Sequence, residues 1–590
     1  MITKECFLPM HEKLAPYGVN YEQTLIKDNV ACSYHGFWTT PEELGERQPL
    51  EIEAGVYLLW DGRIDNRDEI YHLLSNRHRP LKELSDARLF SALYQQYETR
   101  HLDKIIGPFA WAIVDHKRHR FTAARDSMGA RYLVYAESDE WLCIATAAIA
   151  VTAHPEFSFK LNKQKLAQQF GLLYFNNDAT FVEGVHKVLP GHYVSLEKCG
   201  IVQQAFYLPN PRNRLYYADK RQYQEQFKEV FTKSVEARLR AIKPVSSMMS
   251  GGLDSAPITL AAANSNLSKE PIHAVSWVFD ALKKCDEREY LSTICQHQNI
   301  EPSWVNCDDA YPLNEKDSWA VNPEQPFDIP YRAKHLRAYK TVQQLGSNVV
   351  LSGMAGDELY AYTELIAYEL LKAGRPGQAF SELKLRAQFG VSKDRFFKAH
   401  FVWYTRLWYW LRRSPQYSPP HLTEQAKRIL GQESSFLDNH NYRALRPKQY
   451  DRLLGTYWSD ALSTEKFFST PYQVEMRYPL RDRRLVEFML QIPSEYLCSK
   501  GVNRPIVRDA FKSELPDNII ARSQKTSFVS LLEKSLSVEN PVVQKLLSQN
   551  RWSYFVKPDF IASNNSEYSH YLMILWQCIY FEYWSQHKGW

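Results

Sequence analysis

The stretch Ser250-Gly251-Gly252-Leu253-Asp254-Ser255 constrains this chain more than any other. Val245 to Met249 before it reads as an apolar run that closes a strand. Ala256 to Ala263 after it is small and apolar, with Pro257 at an early helical position where a missing N–H is tolerated. Strand, glycine loop and helix in that order make an anion site. The glycines let backbone N–H groups approach the anion, Ser250 and Ser255 add hydroxyl donors, and the helix N-terminus adds partial positive charge. Asp254 would repel a bare phosphate, but it fits if it holds Mg²⁺ that bridges to the phosphates. No Gly-Lys-Ser/Thr follows, so the loop is not a Walker A motif. The plainer reading is a glycine turn that only ends a strand.

Around this loop the chain alternates. Helical periodicity covers Tyr223 to Ala241, Asp286 to Gln298, Tyr331 to Leu345 and long runs through 360 to 412 and 420 to 465. Apolar strands at Ile272 to Val278, Ser303 to Asn306 and Val349 to Leu351 fall between helices. That is the rhythm of an α/β doubly wound parallel sheet, with ligands beyond the carboxyl ends of its strands. A second strand-to-glycine turn, Ser352-Gly353-Met354-Ala-Gly-Asp357, follows the 349–351 strand. Asp357 either caps a helix or joins Asp254 on one metal ion.

The front of the chain, residues 1–210, reads differently. Gly55 to Trp60, Ile105 to Val114, Phe121 to Arg125 and Tyr132 to Tyr135 are short strands between turns, and the one convincing helix runs from Ser85, its N-cap, to Tyr97. A layered β-rich domain is expected, joined through the proline-bearing stretch at Leu208 to Arg212 to a second domain at 213–590. A net charge of +5 on 590 residues gives no case for nucleic acid as partner. Nine cysteines stand singly with no CxxC pair, the N-terminus lacks a signal-peptide core, and the apolar run Tyr571 to Tyr580 is too short to span a bilayer. A cytoplasmic protein with a buried terminal helix is the expectation.

Ser250 to Ser255 resembles the SGGxDS pyrophosphate loop of the ATP pyrophosphatases, which split ATP between its α and β phosphates. Ser85-Asp86, Gly107 to Asp115, Ala124 to Gly129 and Gly184 to His192 resemble, in order, the class II glutaminase domain of glutamine-dependent asparagine synthetases. Tyr472 to Asp482, Gly501 to Arg504, Arg508, Leu515, Arg522 and Lys525 to Phe528 track that family's C-terminal signature. The resemblance implies that Ser250, Gly251, Gly252, Asp254, Ser255, Ser276, Gly353 and Lys525 bind ATP and pyrophosphate. It implies further that Asp254 and Asp357 hold Mg²⁺ and that Lys525 stabilises the charged tetrahedral species, with Met354 at the position that faces the acceptor.

Three departures redirect the reading. That glutaminase uses a cysteine as first residue, whereas position 2 is Ile2 and Cys6 is followed by Phe7. Asp61-Gly62 replaces the Asn-Gly of the oxyanion hole with a carboxylate, which would repel an oxyanion. Met354 replaces the glutamate that faces the acceptor. The front domain is therefore expected to keep the fold without making ammonia, so that the amine arrives on the substrate itself. Lasso-peptide cyclases, relatives of asparagine synthetase, fit: they join a peptide's N-terminal amine to an Asp or Glu side chain through an acyl-adenylate. Segments 285–290 and 324–326 and the aromatic run Phe401 to Trp410 look similar to that group, and the likeness of the two segments adds Glu287 and Glu324 as residues that face the substrate. The run equally suits a helix core, and Glu287 suits an ordinary helix N-terminal acid better than a substrate contact. Partners under this resemblance are a precursor peptide, a leader peptidase and a leader-binding protein. An ammonia-dependent amide ligase, a β-lactam-type synthetase and an inactive peptide-binding scaffold remain as alternatives.

Overall fold

In the computed structural model the described residues are 2–77, 79–173, 177–197, 200–268, 270–314, 320–360, 370–371, 374–388, 419–431, 446–499, 502–522, 525–563 and 568–588. The aromatic run 401–410 and Gly501 lie outside them.

The front half opens with a hairpin of β1 (Tyr21–Lys27) and β2 (Val30–Gly36). Then come β3 (Leu50–Glu53), β4 (Val56–Gly62), β5 (Phe109–Asp115), β6 (Arg120–Arg125), β7 (Val134–Glu137), β8 (Leu142–Ala145), β9 (His186–Lys187), β10 (His192–Glu197) and β11 (Gly200–Ala205). Six of them form an antiparallel sheet in the order β11-β10-β6-β5-β4-β3, and β8-β7-β9 form a second. Strand periodicity explains the layering. On β5 the small Ala110 and Ala112 face Tyr135 of the second sheet and Leu133 and Val188 at its strand ends, while Trp111 and Ile113 point the other way onto Leu89, Phe90 and Leu93 of helix Asp86–Tyr97. Ser85 caps that helix as expected, its side chain accepting from the Arg88 N–H at 3.2 Å.

Two local expectations shift. The strand read from Ile105 begins at Phe109, because Gly107 adopts φ +142° and Pro108 has no N–H to give a ladder. Helices Lys4–Leu14, Arg67–Leu73 and Lys163–Phe170 carried no clear periodicity: the first has Pro9 in its interior and buries only Phe7, and the last buries the polar Lys165 and Gln168.

The second half is built on β12 (Val245–Met248), β13 (Ile272–Val278), β14 (Ile300–Asn306), β15 (Val349–Ser352) and β16 (Glu475–Arg477), all parallel, in the order β14-β13-β12-β15-β16. Val349 and Leu351 face Phe227 and Phe231 of helix Lys220–Glu236; Val350, between them, faces Tyr339 of helix Arg332–Gln344. Apolar residues on both faces are what a sheet covered on both sides requires. Strand order reverses between β12 and β15, so the crevice for a ligand opens where their two loops meet. Among the described residues no helix is long and apolar enough to cross a membrane.

Candidate active site

The loop after β12 is closed on itself. Ser250 N–H donates to Ser255 Oγ at 2.9 Å, and the two hydroxyls lie 2.8 Å apart. Close approach explains two glycines. A Cβ on Gly251 would stand 2.4 Å from Tyr290 Cβ, and one on Gly356 would stand 2.4 Å from the Asp254 carboxyl carbon. Gly353 brings the second loop against the first, within 3.0 Å of Ser255 N by the same measure.

That contact puts Asp254 and Asp357 together, as expected, and two cations join them. Arg504 Nε and Nη2 donate to Asp254 at 2.8 and 3.0 Å, and Nη2 reaches Asp357 at 2.6 Å. Lys525 Nζ donates to Asp357 at 2.8 Å and lies 3.6 Å from Asp254. Burial raises the Asp357 carboxyl, but Lys525 and Arg504 outweigh it and hold it below the usual carboxylate range. Burial lowers the Lys525 ammonium, and Asp254 and Asp357 reverse that and hold it above its ordinary value. Arg504 closes the signature segment Gly501 to Arg504, and the sequence assigned it no role at the site. It adopts φ +58°, a left-handed backbone that carries strain for a long side chain, and its three charge-assisted hydrogen bonds over-determine it.

The donor set suits Mg²⁺. Two hard carboxylates from adjacent loops are what this ion takes from protein when phosphate oxygens and water complete its octahedron. Among the described residues no group of three or more His, Cys, Asp or Glu could hold a metal without such help.

The remaining expected residues fall in four places. Ser276, 1% exposed on β13, keeps a buried hydroxyl with no partner among the described residues. Met354 donates its N–H to Ser352 Oγ and packs in an apolar cluster with Ala355, Trp458, Leu462 and Tyr478. Glu287, expected toward the substrate, is instead buried behind the loop. It accepts from Gly251 N–H at 3.3 Å and Arg522 at 2.7 Å, because a buried carboxylate needs such partners. Glu324 is the second correction. Its carboxylate accepts from Ile149 N–H of the front domain at 2.6 Å, and burial pushes its pKa up to about 7. It belongs to the joint between domains.

The family model described as asparagine synthase matches residues 226–585, and that described as glutamine amidotransferase domain matches residues 3–207. The chain belongs to the asparagine synthase family. It is an ATP-dependent amide-forming ligase of that family. It is 21% identical to asparagine synthetase [glutamine-hydrolyzing] 3 of Bacillus subtilis over 81% of this chain and 77% of that one. Against asparagine synthetase [glutamine-hydrolyzing] 1 of the same organism it is 22% identical over 87% and 82%. Amidase chyE of Penicillium rubens matches at 24% over 51% of this chain and 46% of its own.

In this asparagine synthase family chain the amidotransferase-like half encloses a cavity of about 200 Å³, walled by Tyr34, Trp60, Asp61, Trp111 and Arg131 and closed by Leu462 and Lys466 of the second domain. Asp61 is spoken for. Lys466 Nζ lies 2.9 Å from it and Arg131 Nε 3.4 Å. Burial raises its pKa, and these two cations outweigh that and leave it lowered. Arg131 continues to Glu475 at 2.5 Å, which also meets Arg63 at 3.1 Å and Arg477 at 2.8 Å. Among the described residues lining the cavity none is a cysteine. Cys6 sits in the first turn of helix Lys4–Leu14, its N–H directed at Thr3 Oγ1.

Proposed function

We propose that the chain is a lasso-peptide cyclase: it adenylylates an Asp or Glu side chain of a leader-free precursor peptide and closes a macrolactam with the peptide's N-terminal amine. The carboxylate oxygen attacks the α-phosphorus of ATP, the Pα–O–Pβ bond breaks and pyrophosphate leaves. The amine then attacks the acyl carbon, AMP leaves with the bonding pair, and the amine gives up a proton. The loop 250–255 would cradle the pyrophosphate with its backbone N–H groups. Lys525 would hold the negative charge that develops as the amine adds, a role for which a fixed cation is suited. Mg²⁺, carried by Asp254 and Asp357, would neutralise the departing pyrophosphate.

The observation that carries this reading is Met354. Where the family holds a glutamate against the acceptor, this chain packs a thioether among Trp458, Leu462 and Ala355. Such a wall suits apolar peptide surface better than free ammonia. Asp61, clamped by Lys466 and Arg131, supports a front domain that supplies no ammonia. A precursor peptide, a leader peptidase and a leader-binding protein are the partners this reading calls for.

The family's own reaction, amide formation from free ammonia, is the second reading. Purified protein with ATP and linear peptides bearing a free N-terminal amine and one internal Asp or Glu, run beside L-aspartate plus ammonia, separates the two. Loss of one water from a peptide with matching AMP supports cyclisation; asparagine in its place refutes it.

A further inference from the structure

Helix Tyr457–Ser469 touches both halves of the molecule and the reacting centre at once. Trp458 and Leu462, one turn apart and at most 5% exposed, pack with Ala355 against Met354. On the same helix Asp460 is gripped by two front-domain lysines: Lys187 Nζ lies 3.1 Å from each of its oxygens and Lys165 Nζ 3.2 Å from one. Six residues on, Lys466 reaches Asp61 of the front domain. Glu465 ties the helix to Arg332 at 2.9 Å and to Tyr339. A helix held this way cannot turn or slide without breaking ion pairs.

These pairs are a poor way to gain stability. The Lys187 side chain has no exposed surface, and burial lowers its pKa to about 7 even with Asp460 in contact. What a buried pair provides is a fixed geometry, and here the geometry it fixes is the wall beside Met354. The pyrophosphate loop, by contrast, is held by Arg504, Lys525 and Glu287.

We propose that Asp460 and Lys466 are positioning residues through which the front domain sets the shape of the acceptor side of the active site and leaves the ATP side alone. A domain without glutaminase chemistry would then be retained as a clamp on substrate fit. The inference rests on the proposed function only for the identity of the acceptor.

The test is steady-state kinetics on the full chain, with ATP and the acceptor varied in turn. Asp460→Asn is expected to raise the acceptor KM about tenfold and to keep the ATP KM within about twofold. Lys466→Met breaks a more exposed pair, with side chains 27% and 30% exposed, and keeps the question answerable if Asp460→Asn does not fold. Trp458→Phe should move the same parameter and combine non-additively with either change. Equal rises in both KM values, or no change in either, overturn the inference. If wild type closes peptides and these variants match it, the inference alone fails. If wild type acts only on aspartate and ammonia, the cyclase reading fails, and the same split measured on those substrates still decides the inference.

Discussion

At the scale of single residues the site is a balance of two acids and two bases. Asp254 and Asp357 would repel each other at this separation, and Arg504 and Lys525 make the pair tolerable before any nucleotide arrives. Lys525 has a side chain 62% exposed, so its ion pairs contribute little to folding. Lys525→Met is therefore expected to slow ATP–pyrophosphate exchange by about a hundredfold or more with the melting temperature nearly unchanged. Exchange at wild-type rate would remove the lysine from the mechanism. Glu287 is the opposite case. Glu287→Gln removes the charge from a pair whose side chains are 7% and 8% exposed, and unfolding by urea should show a loss of about 3 kcal/mol. Wild-type stability would show that this pair does not hold the loop. The places of Glu287 and Glu324 are not legible locally for one reason: their polar partners, Arg522 and the Ile149 N–H, lie far away in sequence. Arg504 was equally hidden. It stands in the signature segment Gly501 to Arg504, but its role shows only once the fold brings it to two strand ends.

At the scale of elements the two glycine loops are what bring Asp254 and Asp357 together. Their geometry was legible because it is local: strand, glycines and helix follow one another, and the second turn repeats the first on the neighbouring strand. The helix after the first loop was legible as a small apolar run and Tyr223 to Ala241 before it by periodicity, while Lys163–Phe170, which buries Lys165 and Gln168 among Leu166, Ala167 and Phe170, was not. Gly356→Ala places a methyl group on the Asp254 carboxyl. Exchange should fall below a hundredth of wild type, roughly the loss of one well-placed electrostatic contact. Gly377→Ala, whose added Cβ meets nothing within 4 Å in helix Pro376–Gln388, serves as the control and should be neutral or stabilising by up to about 1 kcal/mol. Similar activity in the two variants would show that the close approach to Asp254 is immaterial.

At the scale of the whole molecule the front domain is welded to the ligase domain by buried charge. Besides the pairs at Glu475, Asp460 and Asp61, Asp86 meets Arg240 at 2.6 Å, and Arg483 donates to the Asp103 carbonyl at 2.6 Å. Glu324 adds a pH dependence. Its pKa rises from 4.5 to about 7 on folding, so the folded state holds the extra proton. Its contribution is complete below pH 4.5 and lost as pH climbs through 7, about 3 kcal/mol in all. Glu324→Gln keeps an acceptor for Ile149 N–H and should be more stable than wild type at pH 8 but not at pH 4.5, measured by urea midpoint. An equal difference at both pH values would rule out titration of this group. Domain order and fold class could be read from the chain because each half has its own period. The joint could not, because its partners come from both halves.

The proposed cyclase activates a carboxylate as its adenylate and takes its amine from the substrate. The direct measurement is exchange of labelled pyrophosphate into ATP, with nucleotide products followed, in a mixture of the wild-type protein, Mg²⁺ and carboxylate-bearing peptide that is free of glutamine and ammonia. The account predicts exchange that requires the peptide, with AMP formed in step with a cyclic product. Accumulation of ADP, or exchange and amide formation that begin only when glutamine is added, would contradict it.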